Sequence, residues 1–174
     1  MARRTSSSFP GETRWRRTNT SRLLFAAAWL FDRRILAYVN QHGFPDLRMV
    51  HLHLPRNIDL AGTRLTDLAA RAEISKQSMA EIVDACESMG LVGKISDPKD
   101  RRAKLIALTP RGRKLITIVR VAISAAEKEL RSQVGREAAQ ALTSILIDYI
   151  GDGAPTKANP RRRARELPAT SRQG

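Results

Sequence analysis

Four consecutive residues, Ser75-Lys76-Gln77-Ser78, combine one cation with three hydrogen-bonding side chains directly ahead of an apolar-periodic segment. At the start of a helix they would add free backbone N–H groups and the positive end of the helix dipole. That set suits phosphate contact and base-edge readout in a major groove. Met79, Ile82, Val83 and Cys86 then fall on one helical face, and Gln77, Ala80, Glu81, Asp84 and Ser88 on the opposite one. A carboxylate such as Glu81 or Asp84 in a groove is repelled by phosphates unless it accepts from cytosine N4 or orients a neighbouring arginine. A second charged cluster, Asp97-Pro98-Lys99-Asp100-Arg101-Arg102, has the Asp-Pro chemistry of a turn and carries three cations.

Other reactive side chains point away from catalysis. Cys86 shares the inner face with Met79, Ile82 and Val83, where a cysteine behaves as a small hydrophobe rather than a redox sensor. His51 and His53 diverge by about 200° on a helix, so they do not share a metal ion easily. One cysteine and three histidines do not build a zinc finger or a disulfide framework. The chain has no phosphate-cradling glycine loop, nucleophile elbow or HExxH motif. No enzymatic activity, cofactor or metal is expected.

Elements that would position these residues follow from periodicity and punctuation. A helix capped by Thr20 or Ser21 runs to about Gln41 and ends at His42-Gly43. A short helix from Asp46 to about Leu54 is closed by Pro55. Leu60–Leu65 is a connector, Thr66 caps a helix over Asp67–Ala72, and Glu73-Ile74 makes a tight turn. Ser75 caps the helix Lys76–Met89, with Gly90 at its left-handed end. Leu91–Ser96 and Lys104–Leu108 read as strands of a hairpin with a charged tip. Thr109-Pro110 opens a helix with Leu115, Val119, Ala122, Ile123, Ala126 and Leu130 at helical spacing. Gly135 interrupts, and a last helix covers about Arg136–Ile150, with Leu142, Ile145, Leu146, Tyr149 and Ile150 on its inner face. The expected fold class is mainly α with a small β-wing: a winged helix-turn-helix plus a helical dimerisation region.

Charge supports a polyanionic partner. The 174 residues hold 31 Lys plus Arg against 17 Asp plus Glu, a formal net charge of +14, while 42% apolar composition supports a folded core. Residues 1–22 contribute +5 and residues 152–174 contribute +4, in segments rich in Ser, Thr, Pro and Arg. Both ends therefore read as disordered basic arms, serving solubility or non-specific phosphate contact. The run Leu23–Phe31 follows Arg16-Arg17 as a signal peptide would, yet its nine residues are too short to span a bilayer. Its pattern continues at Ile35, Leu36, Tyr38 and Val39, as in one helix. A helix apolar nearly all round must be covered on every side, and a second subunit is the economical cover. Trp29 and Phe31 at helical spacing then fit interface core better than a ligand cleft.

Residues 65–116 resemble the MarR family of bacterial transcription regulators. The matching segments are Leu65-Thr66-Asp67-Leu68-Ala69, Ile74-Ser75-Lys76-Gln77-Ser78 and Gly90-Leu91-Val92. They continue with Asp97-Pro98-Lys99-Asp100-Arg101-Arg102-Ala103 and Leu108-Thr109-Pro110-Arg111-Gly112. The resemblance implies a cytoplasmic, nucleoid-associated homodimer that binds a palindromic operator on double-stranded DNA. It implies repression relieved by a small, often aromatic effector, and no membrane partner. It implies a MarR-like domain at 20–151, with dimerisation helices 20–42 and 110–150 and a winged helix at about 46–109, and it leaves the basic arm at 1–19 outside it. A basic tail follows at 152–174. The DNA-binding set becomes Ser75, Lys76, Gln77, Ser78, Glu81, Lys99, Arg101 and Arg102, with Arg102 entering the minor groove and Lys99 and Arg101 facing phosphate or solvent. Many members carry a basic side chain at the position of Glu81, so no operator sequence transfers. Two other readings fit the composition: an architectural protein coating DNA without sequence preference, and a winged-helix module that meets a basic protein.

Overall fold

The computed structural model describes Trp15, residues 18–98 and residues 100–151. The tail expected over 152–174, and the arm over 1–19 except Trp15, Thr18 and Asn19, lie outside the described residues. Helix α1 spans Thr20–Gln41, and its cap is Asn19 rather than Thr20 or Ser21: the Asn19 side chain accepts from the Arg22 N–H. The helix expected from Asp46 begins later, as a 3-10 turn at Met49–Leu52 that leads into α2, His53–Asn57. Pro55 does not close α2. It occupies the first turn, where its missing N–H has no intrahelical partner to lose.

The connector holds a strand that its length hid. β1 is only Thr63–Arg64, and it pairs antiparallel with β3 through Thr63↔Ile106 and Arg64↔Leu105. Helix α3 then runs over Leu65–Arg71, with Arg64 at the cap position and no side-chain cap, so Thr66 is not the cap. α4 is Lys76–Ser88, capped by Ser75 as expected. β2, Val92–Asp97, and β3, Asp100–Leu108, form the hairpin, and the sheet order is β1-β3-β2. Arg101 and Arg102 are therefore strand residues, not turn residues. Pairing runs from Val92↔Leu108 to Ser96↔Lys104 and resumes at Asp97↔Asp100, with a register shift between Ser96 and Asp97. α5, Pro110–Val134, and α6, Arg136–Ile150, complete the chain.

One buried cluster joins α1, the winged helix and α5. Leu54, Leu68, Met79, Val83, Cys86 and Leu91 are its most enclosed side chains, and Val39 of α1 and Leu115 and Ala122 of α5 belong to it. The winged helix thus shares a core with the two long helices. Gly90, at φ +69, turns the chain out of α4 in the left-handed region that favours glycine. Its carbonyl accepts from Thr109 Oγ1 at 2.6 Å, while the Thr109 N–H donates to the Leu91 carbonyl at 3.1 Å. Thr109 Oγ1 also accepts from the Gly112 N–H, capping α5 with Pro110 in its first turn.

Gly112 has a separate reason to be glycine. A Cβ there would lie 2.0 Å from the Leu91 carbonyl oxygen, a backbone atom that cannot swing aside. Gly112→Ala should cost about 1–3 kcal/mol or more, because the overlap forces β2 and α5 apart. Urea unfolding of the variant should show a lower midpoint at unchanged slope, and a midpoint equal to wild type would contradict this account.

Candidate nucleic-acid interface

The turn between α3 and α4 sets the start of α4. Ala72 and Ile74 N–H groups return to the Leu68 and Ala69 carbonyls, and Glu73 takes a left-handed φ of +55. Ser75 Oγ accepts from the Ser78 N–H at 3.0 Å and lies 2.9 Å from Ser78 Oγ. Two of the four candidate side chains of the first turn are thus engaged with each other, fixing the helix start. Lys76 and Gln77 are exposed beside them, with no side-chain partner among the described residues. Met79, Ile82, Val83 and Cys86 are buried, so α4 presents the stripe Gln77, Glu81 and Asp84 outward. Glu81 is exposed and without an ion pair among the described residues.

The wing is held by a residue that the local sequence does not flag. Arg64 of β1 donates through Nε and Nη2 to Asp97 Oδ2, at 2.9 and 2.7 Å, and its Nη2 is 3.5 Å from Asp100 Oδ2. The bond to Asp97 and the Asp97 charge hold the Arg64 guanidinium still further on its charged side. Asp97 is buried at the end of β2, so this fork ties the three strands together at the hairpin tip. Asp100 braces its neighbour through the backbone, accepting from the Arg102 N–H at 3.1 Å. Arg102 is exposed on β3. Arg101 lies in β3, and Lys99 lies outside the described residues. The structure therefore brings Ser75, Lys76, Gln77, Ser78 and Glu81 onto α4 and Arg101 and Arg102 onto the wing.

A second missed residue is Lys94 of β2. Its Nζ meets Glu87 Oε2 at 2.8 Å and Asp84 Oδ1 at 3.2 Å, linking the wing to α4. The acidic i, i+3 pair ahead of a strand lysine is the available signal.

His51 and Cys86 sit in the packed interior. His51 is buried, its Nδ1 accepts from the Arg48 N–H at 3.1 Å, and burial with the Arg48 charge lowers its pKa. Among the described residues no three His, Cys, Asp or Glu side chains gather as metal ligands. Cys86 is fully buried, and desolvation pushes its thiol up to about 11.

Away from the wing, a cleft of about 950 Å³ lies among α1, α5 and α6, lined by Leu24, Phe31, Leu130, Leu142 and Leu146. Around it Leu23, Phe25, Trp29, Ile145, Ile147 and Tyr149 are exposed in the single chain. Trp29 carries the Arg33 guanidinium 4.7 Å above its ring. Among the described residues no helix is long and apolar enough to cross a membrane.

Helix α4 after a tight turn from α3, with a three-stranded sheet and its hairpin beside it, defines a winged helix-turn-helix protein. Residues 59–104 match the family model described as "MarR family". The homoprotocatechuate degradative operon repressor of Escherichia coli is 33% identical over 87 residues, which is 50% of this chain and 59% of that protein. The reduced form of MarR from E. coli shares the fold, with a TM-score of 0.67 at 18% identity over 76% of this chain and 97% of that one. CouR from Rhodococcus jostii RHA1, solved bound to p-coumaroyl-CoA, superposes with a TM-score of 0.52 at 26% identity over 72% of this chain and 87% of that one. Over residues 59–104 the chain is thus similar to the MarR family, and its fold is the one seen in MarR from E. coli.

Burial of Cys86 sets two expected outcomes. The native state keeps a proton that the unfolded chain releases. Its contribution to stability is therefore present below the ordinary thiol pKa near 9 and lost as pH rises through about 11. At pH 8 a thiol reagent should label Cys86 only as fast as the chain unfolds. Cys86→Ser should lower stability by about 1–3 kcal/mol, since it buries a hydroxyl on an apolar face. Rapid native-state labelling would refute this placement.

Proposed function

We propose that the chain is a sequence-specific, DNA-binding transcriptional regulator that acts as a homodimer on a palindromic operator in the cytoplasm. It is a binding protein, without catalysis. The observation that carries the reading is the first turn of α4. It leaves Lys76 and Gln77 exposed on a helix locked by the Ser75 cap, in the same chain as a wing bearing exposed Arg102. In this reading Ser75, Lys76 and Ser78 position the helix, and Gln77 with Ser78 reads base edges. Glu81 accepts from a base or orients a neighbour. Lys99, Arg101 and Arg102 serve the flanking groove and its phosphates. The exposed apolar faces of α1, α5 and α6 are the surfaces that a second copy would cover.

The relatives' names support repression relieved by a small aromatic ligand. One is named as the repressor of an operon for degrading homoprotocatechuate, and another was solved with p-coumaroyl-CoA. We extend that ligand class to this chain, where it would act by changing the relation between the two winged helices.

Selection from random-sequence DNA should recover a palindrome. Gln77→Ala should relax one position per half-site by about 1–3 kcal/mol if its base pairing is bidentate. Arg102→Ala should leave the half-site centres unchanged, reduce preference for A·T-rich flanks and lower the salt slope by about one for each phosphate no longer neutralised. Unchanged selection by both variants would overturn the site assignment. Light scattering at micromolar concentration should give twice the 19.4 kDa chain mass. A clean monomer would overturn the pairing.

A further inference from the structure

The reading helix carries an electrostatic difficulty. Gln77, Glu81 and Asp84 recur at i, i+4 and i+7, so Asp84 continues the outward stripe that begins with Gln77. It stands about 10 Å further along the axis. That is close to the Debye length of about 8 Å at physiological salt, so a bare carboxylate there, with Glu87 one turn on, would be felt by phosphates along the groove. Lys94 approaches both acids from the adjacent strand. It lies opposite Ile106 in the β2–β3 ladder, and Ile106 is buried, so the Lys94 side chain leaves the sheet on the face that meets α4. Its ammonium is 2.8 Å from Glu87 and 3.2 Å from Asp84. The two carboxylates thus already occupy the cation.

We infer that Lys94 is a positioning residue for DNA binding that shields Asp84 and Glu87 from phosphate and fixes the wing against α4. It acts through those acids without touching DNA itself. The inference rests on the DNA-binding reading above. It separates two roles that a basic wing residue can play. A cation bound to phosphate adds affinity by releasing counterions and steepens the salt dependence. A shield removes a repulsion, and becomes dispensable once the acids are gone. The ion pair is exposed, so its loss should leave the fold intact.

The test uses the duplex that the wild-type chain enriches from random-sequence DNA, with Kd measured by fluorescence anisotropy across a salt series. Lys94→Gln should weaken binding about fivefold or more at low salt, without the drop of about one in salt slope that removing a phosphate-bound cation gives. Adding Asp84→Asn and Glu87→Gln to that variant should restore binding to within about twofold of wild type, because the repulsion has gone. Adding the distant Glu137→Gln instead, on α6, should restore nothing, although the charge change has the same sign. Lys94→Arg should bind like wild type, and all variants should unfold thermally near wild type. Equal binding by Lys94→Gln overturns the inference. So does a lower salt slope with no rescue, which marks a cation bound directly to phosphate, and so does equal rescue by Glu137→Gln, which marks net charge alone. If Lys94→Gln fails to fold, Asp84→Asn with Glu87→Gln in the Lys94 background decides: binding equal to or tighter than wild type supports the shield, and clear weakening overturns it. A wild-type chain that enriches no duplex overturns the DNA reading and this inference with it, whereas a binding wild type with an indifferent Lys94→Gln overturns this inference alone.

Discussion

The contact between the start of α5 and the start of β2 holds the molecule's working parts in one frame. Four elements converge where Thr109 and Gly112 meet Gly90 and Leu91: the end of α4, the first residue before β2, the end of β3 and the first turn of α5. Thr109 supplies both the cap of α5 and a bond back to the end of α4. Gly112 lets the two backbones approach more closely than any side chain would allow. α4, the hairpin beside it and α5 behind it therefore share one junction. The Leu-Thr-x-x-Gly pattern in the sequence is the linear trace of that junction.

Legibility in the sequence follows range. The Ser75 cap, Gly90 turn and Thr109-Pro110 helix start are readable because each rests on interactions within a few residues. The buried face of α4 is readable because its period is local. β1 is not, since two residues carry no periodic signal and Thr63 and Arg64 are strand only through their pairing with residues 105 and 106. Arg64 escapes for the same reason, its partner Asp97 being 33 positions away. Pro55 misleads because a proline in a helix's first turn and a proline after its end look alike from one side. The apolar face of α6 reads as inner, and in the single chain Ile145 and Tyr149 are exposed. Amphipathicity tells that a face wants cover, not which chain provides it.

Charge is organised by sign and depth. Buried or half-buried acids are paired with arginines that tie elements together: Asp97 with Arg64 at the wing, and Asp59 with Arg71 at the base of α3. The long helices are joined by Arg34 and Glu129, 2.6 Å apart. Lys76, Gln77 and Arg102 are left outward.

The bond between Arg56 and Asp32 joins α2, in the winged helix, to α1, whose apolar flank lies open. It is a two-pronged arginine–carboxylate bond, so it resists rotation as well as separation. Under the proposed two-fold pairing on a palindrome, the two α4 helices would sit about 34 Å apart, each about 17 Å from the axis. At that radius a rotation of about 5° moves a side chain by roughly 1.5 Å, enough to carry a hydrogen bond from its best length to none. In that proposed arrangement the angle held by one guanidinium on the flank of α1 would work as a vernier, converting small changes in the helical scaffold into the making or breaking of entire hydrogen bonds on DNA.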